Sequence, residues 1–462
     1  MLSRTSLIGD RKFYSSVFKI TLPIIIQSTI SNFVGLLDNI MVGRCGTDSM
    51  NGVSIFSQLF FVFTLCVWGS SCGAGIFTAQ YYGAGDHKGV RDTFRIKIYL
   101  AALATVLGAV ILALGGDFFL LKFIHETDAI GDPSATLTYA KSYMNIMIVG
   151  MIPTALGMVY AGTLRDIGET SVPMKAGFAA VFVNLTLNYV LIFGHFGLPA
   201  MGVEGAAIAT VISRFVELSI EIIWTHTHKE RCRFIEGAFS SFKVPLPLVK
   251  KIVLKGIPLA ANETLWSLGL TMLNQSFSLR GLAVVAAINI ANTIANLFNV
   301  FLFAIGESIS ILAGQLLGAG KDEEAKLTAN RMILLSAAVS AVIGGVLVLF
   351  RNIFPAFYNT EREVMDYAAN FIMQTGIFLP VLAVVHGCYF TLRSGGKTFI
   401  TFLFDSVFIW VFIVPVAFAL TRYTAMGIIM VYLVVKALDL IKCAIGIVLI
   451  RKGVWVNKIV SD

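Results

Sequence analysis

An all-α integral membrane protein, with twelve transmembrane helices in two parallel six-helix repeats that form two lobes around a central cavity, is the fold that this chain predicts. Three observations carry that expectation: an apolar composition, a regular series of apolar segments, and short blocks that recur in order along the chain. Of 462 residues 57% are apolar and 13% charged, and the mean hydropathy is +0.82. A soluble domain carries roughly 25% charged residues. Lipid covers apolar surface that water would penalise, so soluble enzymes and nucleic-acid-binding proteins are excluded by composition despite the net charge of +8.

A spanning helix needs about 20 mostly apolar residues. Such stretches fall at 18–42, 52–80, 97–116, 136–161, 174–195, 202–225, 249–278, 284–316, 328–350, 365–390, 399–420 and 425–450. The first is too long for the apolar part of a cleavable leader and runs into Asp38 rather than small residues, so it reads as a membrane span. With both termini cytoplasmic, 25 of the 35 Lys and Arg lie in the inner segments and seven in the outer ones. That bias is the positive-inside pattern, and in a bacterial cell it places the chain in the inner membrane.

Repetition supplies the topology. Gln80-Tyr-Tyr-Gly83-Ala84-Gly85 recurs as Gln315-Leu-Leu-Gly318-Ala319-Gly320, and Pro23 recurs as Pro258, both 235 residues on. Thr163-Leu164-Arg165 recurs as Thr391-Leu392-Arg393, with Gly168 and Thr170 matched by Gly396 and Thr398, at an offset of 228. Three ordered blocks mark a duplication with halves at 1–226 and 248–462 and a charged cytoplasmic linker at 227–247. Six spans per half is an even number, so both halves enter from the same side, as parallel repeats of alternating-access transporters do.

Ionisable groups within spans cost about 2.5 to 3.5 kcal/mol each and are functional candidates by default. Asp38, Glu263 and Asp405 are the acids that stand out. Gln27, Ser31 and Asp38 share one face of the first span. The fifth span carries Asn184 and Asn188 one turn apart, in its outer half with Asp38. A carboxylate, two carboxamide oxygens and the Thr210 hydroxyl of the sixth span form an oxygen set suited to Na⁺, centred on Asp38, Asn184 and Asn188, or to a proton on Asp38; the residues leave both open. In the second half Glu263, Ser267 and Asn274 recur on one face, and Asn289, Asn292, Asn296 and Asn299 draw a polar line down the eighth span. These lines face a wet cavity or tie helices together as interhelical hydrogen bonds. Asp405 has no acidic counterpart at the matching position, Gly177.

The 36 Phe, 15 Met and 13 Tyr mostly face lipid or neighbouring helices. Those that line a cavity beside carboxylates suit small amphipathic organic cations through cation–π contacts. Ser394-Gly395-Gly396-Lys397-Thr398 echoes the tail of a phosphate-binding loop, but Thr391 stands where its first glycine belongs and a membrane helix precedes it. Six scattered cysteines make neither a metal site nor a disulfide framework. The six histidines, His87, His125, His195, His226, His228 and His386, place only the last well inside a span, against a membrane-embedded enzyme. Without an ATPase domain, transport is secondary or passive, and no cofactor is expected beyond a coupling ion, H⁺ or Na⁺.

Leu37-Asp38-Asn39-Ile40-Met41-Val42-Gly43-Arg44, the Gln80–Gly85 block, Asn184-Leu-Thr-Leu-Asn188 through Gly194, Gly202-Val-Glu-Gly205 through Thr210, and Asn262-Glu263-Thr-Leu-Trp266-Ser-Leu-Gly269 together resemble the multidrug and toxic compound extrusion transporters over nearly the whole chain. The resemblance implies two rocking six-helix lobes that export drugs or metabolites in exchange for H⁺ or Na⁺, working as a monomer. It places Asp38, Asn184, Asn188 and Thr210 on the family's N-lobe cation site and Glu263 on the C-lobe acid of its NorM-type branch. Leu382 replaces a further acid of that branch, and Asn188 stands where the DinF-like branch commonly has Asp. A flippase for lipid-linked saccharides shares the wider architecture but calls for a more basic cavity than these acidic spans suggest.

Overall fold

Where a chain of this composition enters lipid, each backbone N–H and C=O must be satisfied within its own segment, and helices do that. The computed structural model describes residues 8–123, 132–241, 243–358 and 360–460; His125 lies outside them. Twelve long helices follow the expected order: α1 Arg11–Gly43, α2 Thr47–Gly83, α3 His87–Phe123, α4 Pro133–Asp166, α5 Ser171–Phe193, α6 Gly202–Thr227, α7 Leu246–Ser278, α8 Leu282–Gly318, α9 Asp322–Leu349, α10 Arg362–Ser394, α11 Thr398–Tyr423 and α12 Ile428–Arg451. Several outrun their apolar cores by a turn or two, because helices continue past the hydrocarbon into the interface. Among the described residues nine are long and apolar enough, by length and composition, to cross a membrane by themselves. The other three, α6, α7 and α12, carry more charge, of which the tertiary structure pairs Arg214 with Glu217 and Lys442 with Asp405 and buries Glu221.

Local chemistry sets the helix ends. Asp132 caps α4, its Oδ1 accepting from Ser134 N at 2.9 Å, with Pro133 at the first helical position. Accepting these hydrogen bonds holds the Asp132 carboxyl below its ordinary value. The recurring Gly-Ala-Gly blocks end α2 and α8 in the same way: Gly85 and Gly320 both take φ 73°, a left-handed conformation that glycine adopts without penalty. The duplication is therefore written in backbone geometry as well as in letters.

The chain divides into two compact units. One comprises Leu22–Thr78 and Asp86–Lys250; within it α6 packs along α5 and α4, and α3 along α4. The other comprises Met1–Thr21, Ala79–Gly85 and Lys251–Asp462; here α10 is the central helix, packed on α8, α9 and α12. The inner end of α2 thus belongs by contact to the second unit. The segment after α6 is no loose tether. Arg95 donates to the carbonyls of Ala238 (2.7 Å), Gly237 (2.7 Å) and Lys243 (3.3 Å), and Arg91 to that of Phe234 (3.1 Å), fastening it onto α3 over buried Cys232 and Phe234.

One departure from regular helix lies inside α11, where Leu403–Val407 and Ile409–Ile413 are π-helical. The wider turn carries Asp405. Such bulges gather at functional positions because they turn a side chain that α-geometry would aim elsewhere.

Candidate functional site

In the first unit, α1, α5 and α6 bring Asp38, Asn184, Asn188 and Thr210 into one hydrogen-bonded chain. Asn188 Nδ2 donates to Asp38 Oδ1 at 2.5 Å and to Asn184 Oδ1 at 3.2 Å, and Asn184 Nδ2 donates to Thr210 Oγ1 at 3.4 Å. The i, i+4 spacing of the two asparagines stacks their amides on one face of α5, and both are almost fully buried. Asn188 Oδ1 is buried and accepts no hydrogen bond. Asp38 and Thr210 line a cavity of about 630 Å³ together with Ser54, Ser57, Gln58 and Tyr143. The Asp38 carboxylate at the cavity and the unfilled Asn188 amide oxygen buried behind it form a pair of acceptors suited to a cation or a proton.

Gln27 and Ser31 share Asp38's helix face but not its cluster. Gln27 lies beside Glu217, both within 4 Å of the same point over Gly177. Ser31 is exposed and donates to the carbonyl of Gln27 at 3.0 Å. Glu217 accepts from Arg214 at 2.7 Å, an intramembrane ion pair for which the sequence offered only the four–three spacing of Thr210, Arg214 and Glu217 as a clue.

The second unit builds another polar cluster around Glu263 and Asp405. Tyr389 of α10 donates to Glu263 Oε1 at 3.0 Å. Asn262 Nδ2 reaches Tyr389 Oη at 3.3 Å and Asp405 Oδ2 at 3.0 Å, while Ser406 Oγ donates to Asn262 Oδ1 at 2.8 Å. Lys442 of α12 closes the network on Asp405 Oδ1 at 2.6 Å and lies over the Phe404 and Phe408 rings. Sequence reasoning found both acids and missed Tyr389, Asn262 and Lys442. Ser267 is exposed on α7, away from this network. Asn289 and Asn296 are exposed and Asn292 half-buried, and among the described residues none of their amides bonds another helix, so they do not tie helices together.

The duplication relates the Glu263–Asp405 cluster to the Gln27–Glu217 neighbourhood of the first unit, not to the Asp38 cluster. Asn262 is the counterpart of Gln27 at offset 235 and Asp405 that of Gly177 at offset 228, and aligning Met426-Gly427 with Met201-Gly202 sets Lys442 opposite Glu217. The scaffold is kept while the charges are exchanged. In one unit α11 supplies the acid and α12 the base; in the other α6 carries both.

Residues 23–190 and 258–419, the bulk of each half, match the MatE family. The chain belongs to the MatE family. It is thus a multi-pass membrane transporter. This MatE chain is 25% identical over 447 residues to the probable multidrug resistance protein NorM of Thermotoga maritima, covering 96% of itself and 93% of that protein. It is 26% identical to the probable multidrug resistance protein YoeA of Bacillus subtilis, covering 93% of itself and 92% of that protein. A crystal structure of a MATE in complex with MaD3S superposes with a TM-score of 0.84 at 18% identity, covering 98% of each chain. A MOP superfamily transporter from Pyrococcus furiosus, described as having a binding pocket of reverse polarity, superposes with a TM-score of 0.83 at the same identity and coverage. Likeness at that identity bears on the fold alone.

Proposed function

We propose that the protein is a secondary antiporter that exports organic cations across the bacterial inner membrane, with both termini cytoplasmic, in exchange for H⁺ or Na⁺. The observation that carries this reading is the Asp38–Asn188–Asn184–Thr210 chain at the edge of a 630 Å³ cavity. Coupling requires that ion and substrate bias the same element. A carboxylate that alternates between a coupling ion and a cationic substrate meets that requirement, and multidrug resistance relatives across almost the whole chain support the substrate class. One charge crossing 100 mV supplies about 2.3 kcal/mol and one pH unit about 1.4 kcal/mol, enough together for a several-hundred-fold gradient per ion in ideal exchange. Of the intramembrane bases, Arg214 and Lys442 are each paired with an acid and Lys436 lies over the Tyr432 ring, so they offer little to a lipid-linked diphosphate.

The test is efflux of a fluorescent organic cation from oriented proteoliposomes, under a Na⁺ gradient at fixed pH and then a pH gradient without Na⁺, with Asp38→Asn in parallel. Export driven by either gradient and lost in the variant names the coupling ion. Export that persists in Asp38→Asn removes Asp38 from the coupling role, and no export under either gradient withdraws the organic-cation reading in favour of a narrower exporter or a flippase.

A further inference from the structure

Glu221 lies on α6 with none of its surface exposed, and neither carboxyl oxygen meets a hydrogen-bond donor. Thr210, Arg214, Glu217 and Glu221 follow one another at spacings of four, three and four, so they form a single stripe down one face of α6. At 1.5 Å per residue the stripe runs roughly 16 Å from the Asp38 cluster toward the inner end of the helix. Arg214 interacts electrostatically with Asp38 as well as with Glu217, to which it is hydrogen bonded. Its hydrogen bond is thus given to Glu217, and Glu221 is left without one.

The charged and titratable groups that face Glu221 are Tyr160 and Arg165 from α4 and Arg214 and Glu217 from α6 itself. Gly157 of α4 lies over its carboxyl, where a β-carbon would stand 3.8 Å from Oε2. Beyond Tyr160 the line continues to His226 Nε2, 3.5 Å from the Tyr160 hydroxyl, at the last turn of α6. A buried carboxylate with no donor on either oxygen carries a large desolvation cost. Taking up a proton removes that cost.

We propose that Glu221 is a second proton-binding carboxyl of this unit, filled from the inner end past His226 and Tyr160 and linked to Asp38 through the Arg214–Glu217 pair. The linkage is electrostatic: a cation arriving at Asp38 reduces its hold on Arg214, and the freed positive charge favours the ionised form of Glu221. A proton site that empties when Asp38 fills gives the transporter an inner-side occupancy distinct from the outer cation site. The linkage rests on the antiport reading; proton occupancy at Glu221 does not.

The experiment uses the purified full-length protein and dicyclohexylcarbodiimide, which modifies protonated carboxyls in apolar surroundings, with peptide mass spectrometry as the readout. In the wild type, modification of Glu221 should be strong at acidic pH and fall by at least ten-fold as pH rises, and Asp38→Asn should displace the pH at which it falls. Absence of modification at every pH, or modification indifferent to pH, overturns the proton site. A pH profile identical in wild type and Asp38→Asn overturns the linkage. None of these readouts involves transport, so a failure of organic-cation efflux leaves them intact. Glu221→Gln, where it accumulates in the membrane, should abolish the modification at this peptide alone.

Discussion

Gly83 and Gly318 make reciprocal contacts: a methyl group on Gly83 would overlap the carbonyl of Gln315, and one on Gly318 would overlap the carbonyl of Gln80. Each glycine thus meets the glutamine that opens the other copy of its own repeat. The ends of α2 and α8 pack backbone to backbone about a local two-fold relation, which requires the absence of a side chain on both. Gln80 then extends the contact, donating to the carbonyls of Ser394 and Asn457 at 3.1 Å and accepting from Ile459 N at 2.9 Å.

Gly83→Leu or Gly318→Leu should therefore push these helix ends apart. Overpacking of this kind costs typically 1–3 kcal/mol, or about 5- to 150-fold in the population of the closely packed arrangement. Disulfide yield between cysteines placed at Ala84 and Ala319 in a background without other cysteines should fall accordingly, whereas Gly345→Leu, at a position with open space, should leave it unchanged.

Asn188→Ala removes the buried amide oxygen that accepts no hydrogen bond beside Asp38. A contact to a charged group contributes about 1.5–3 kcal/mol, so in Na⁺-driven efflux the Na⁺ concentration needed for the half-maximal rate should rise about 10- to 100-fold. Asn188→Asp, which puts an anionic acceptor in the same place, should bind the ion more tightly than the alanine variant does.

Lys442→Met leaves Asp405 buried with a charge and no base. Breaking such a pair costs about 3–5 kcal/mol, whereas replacing both members with apolar residues is often neutral. Thermal unfolding in detergent should therefore show a large drop for Lys442→Met and a substantial recovery in the double variant Lys442→Met with Asp405→Leu. If the double variant is as unstable as the single one, the pair is not the reason for the loss.

Cys232 lies outside the spans, fully buried where Arg91 and Arg95 fasten the linker to α3. Burial pushes its thiol from 9.0 up to about 12. The folded state thus favours the protonated form, so the stability contributed through this thiol is complete below pH 9.0 and declines as pH rises from there toward about 12. Alkylation of Cys232 at neutral pH should be negligible in the native protein and rapid after denaturation. Arg95→Ala, which frees the linker, should raise the native rate.

Hydropathy and helical periodicity are local properties, and they were enough to place all twelve helices; the recurring blocks marked the duplication, and Asp38, Asn184, Asn188 and Thr210 stood out as polar residues within apolar spans. The structure brings those four together because two positions sit a turn apart on α5 and the others reach them from α1 and α6. Glu263 and Asp405 were equally visible as charges in apolar segments. Their partners were not. Nothing in the local sequence says that Lys442 faces α11 rather than lipid, that Tyr389 reaches across from α10, or that a π-helical stretch turns Asp405 toward Asn262 and Lys442. Partner choice depends on which helices pack together and at what rotation, and the same apolar periodicity is compatible with several such arrangements. Glu221 shows this most plainly: in sequence it is one more acid near a helix end beside the Arg214–Glu217 pair, and only packing against α4 takes it out of water while its neighbouring base is held elsewhere.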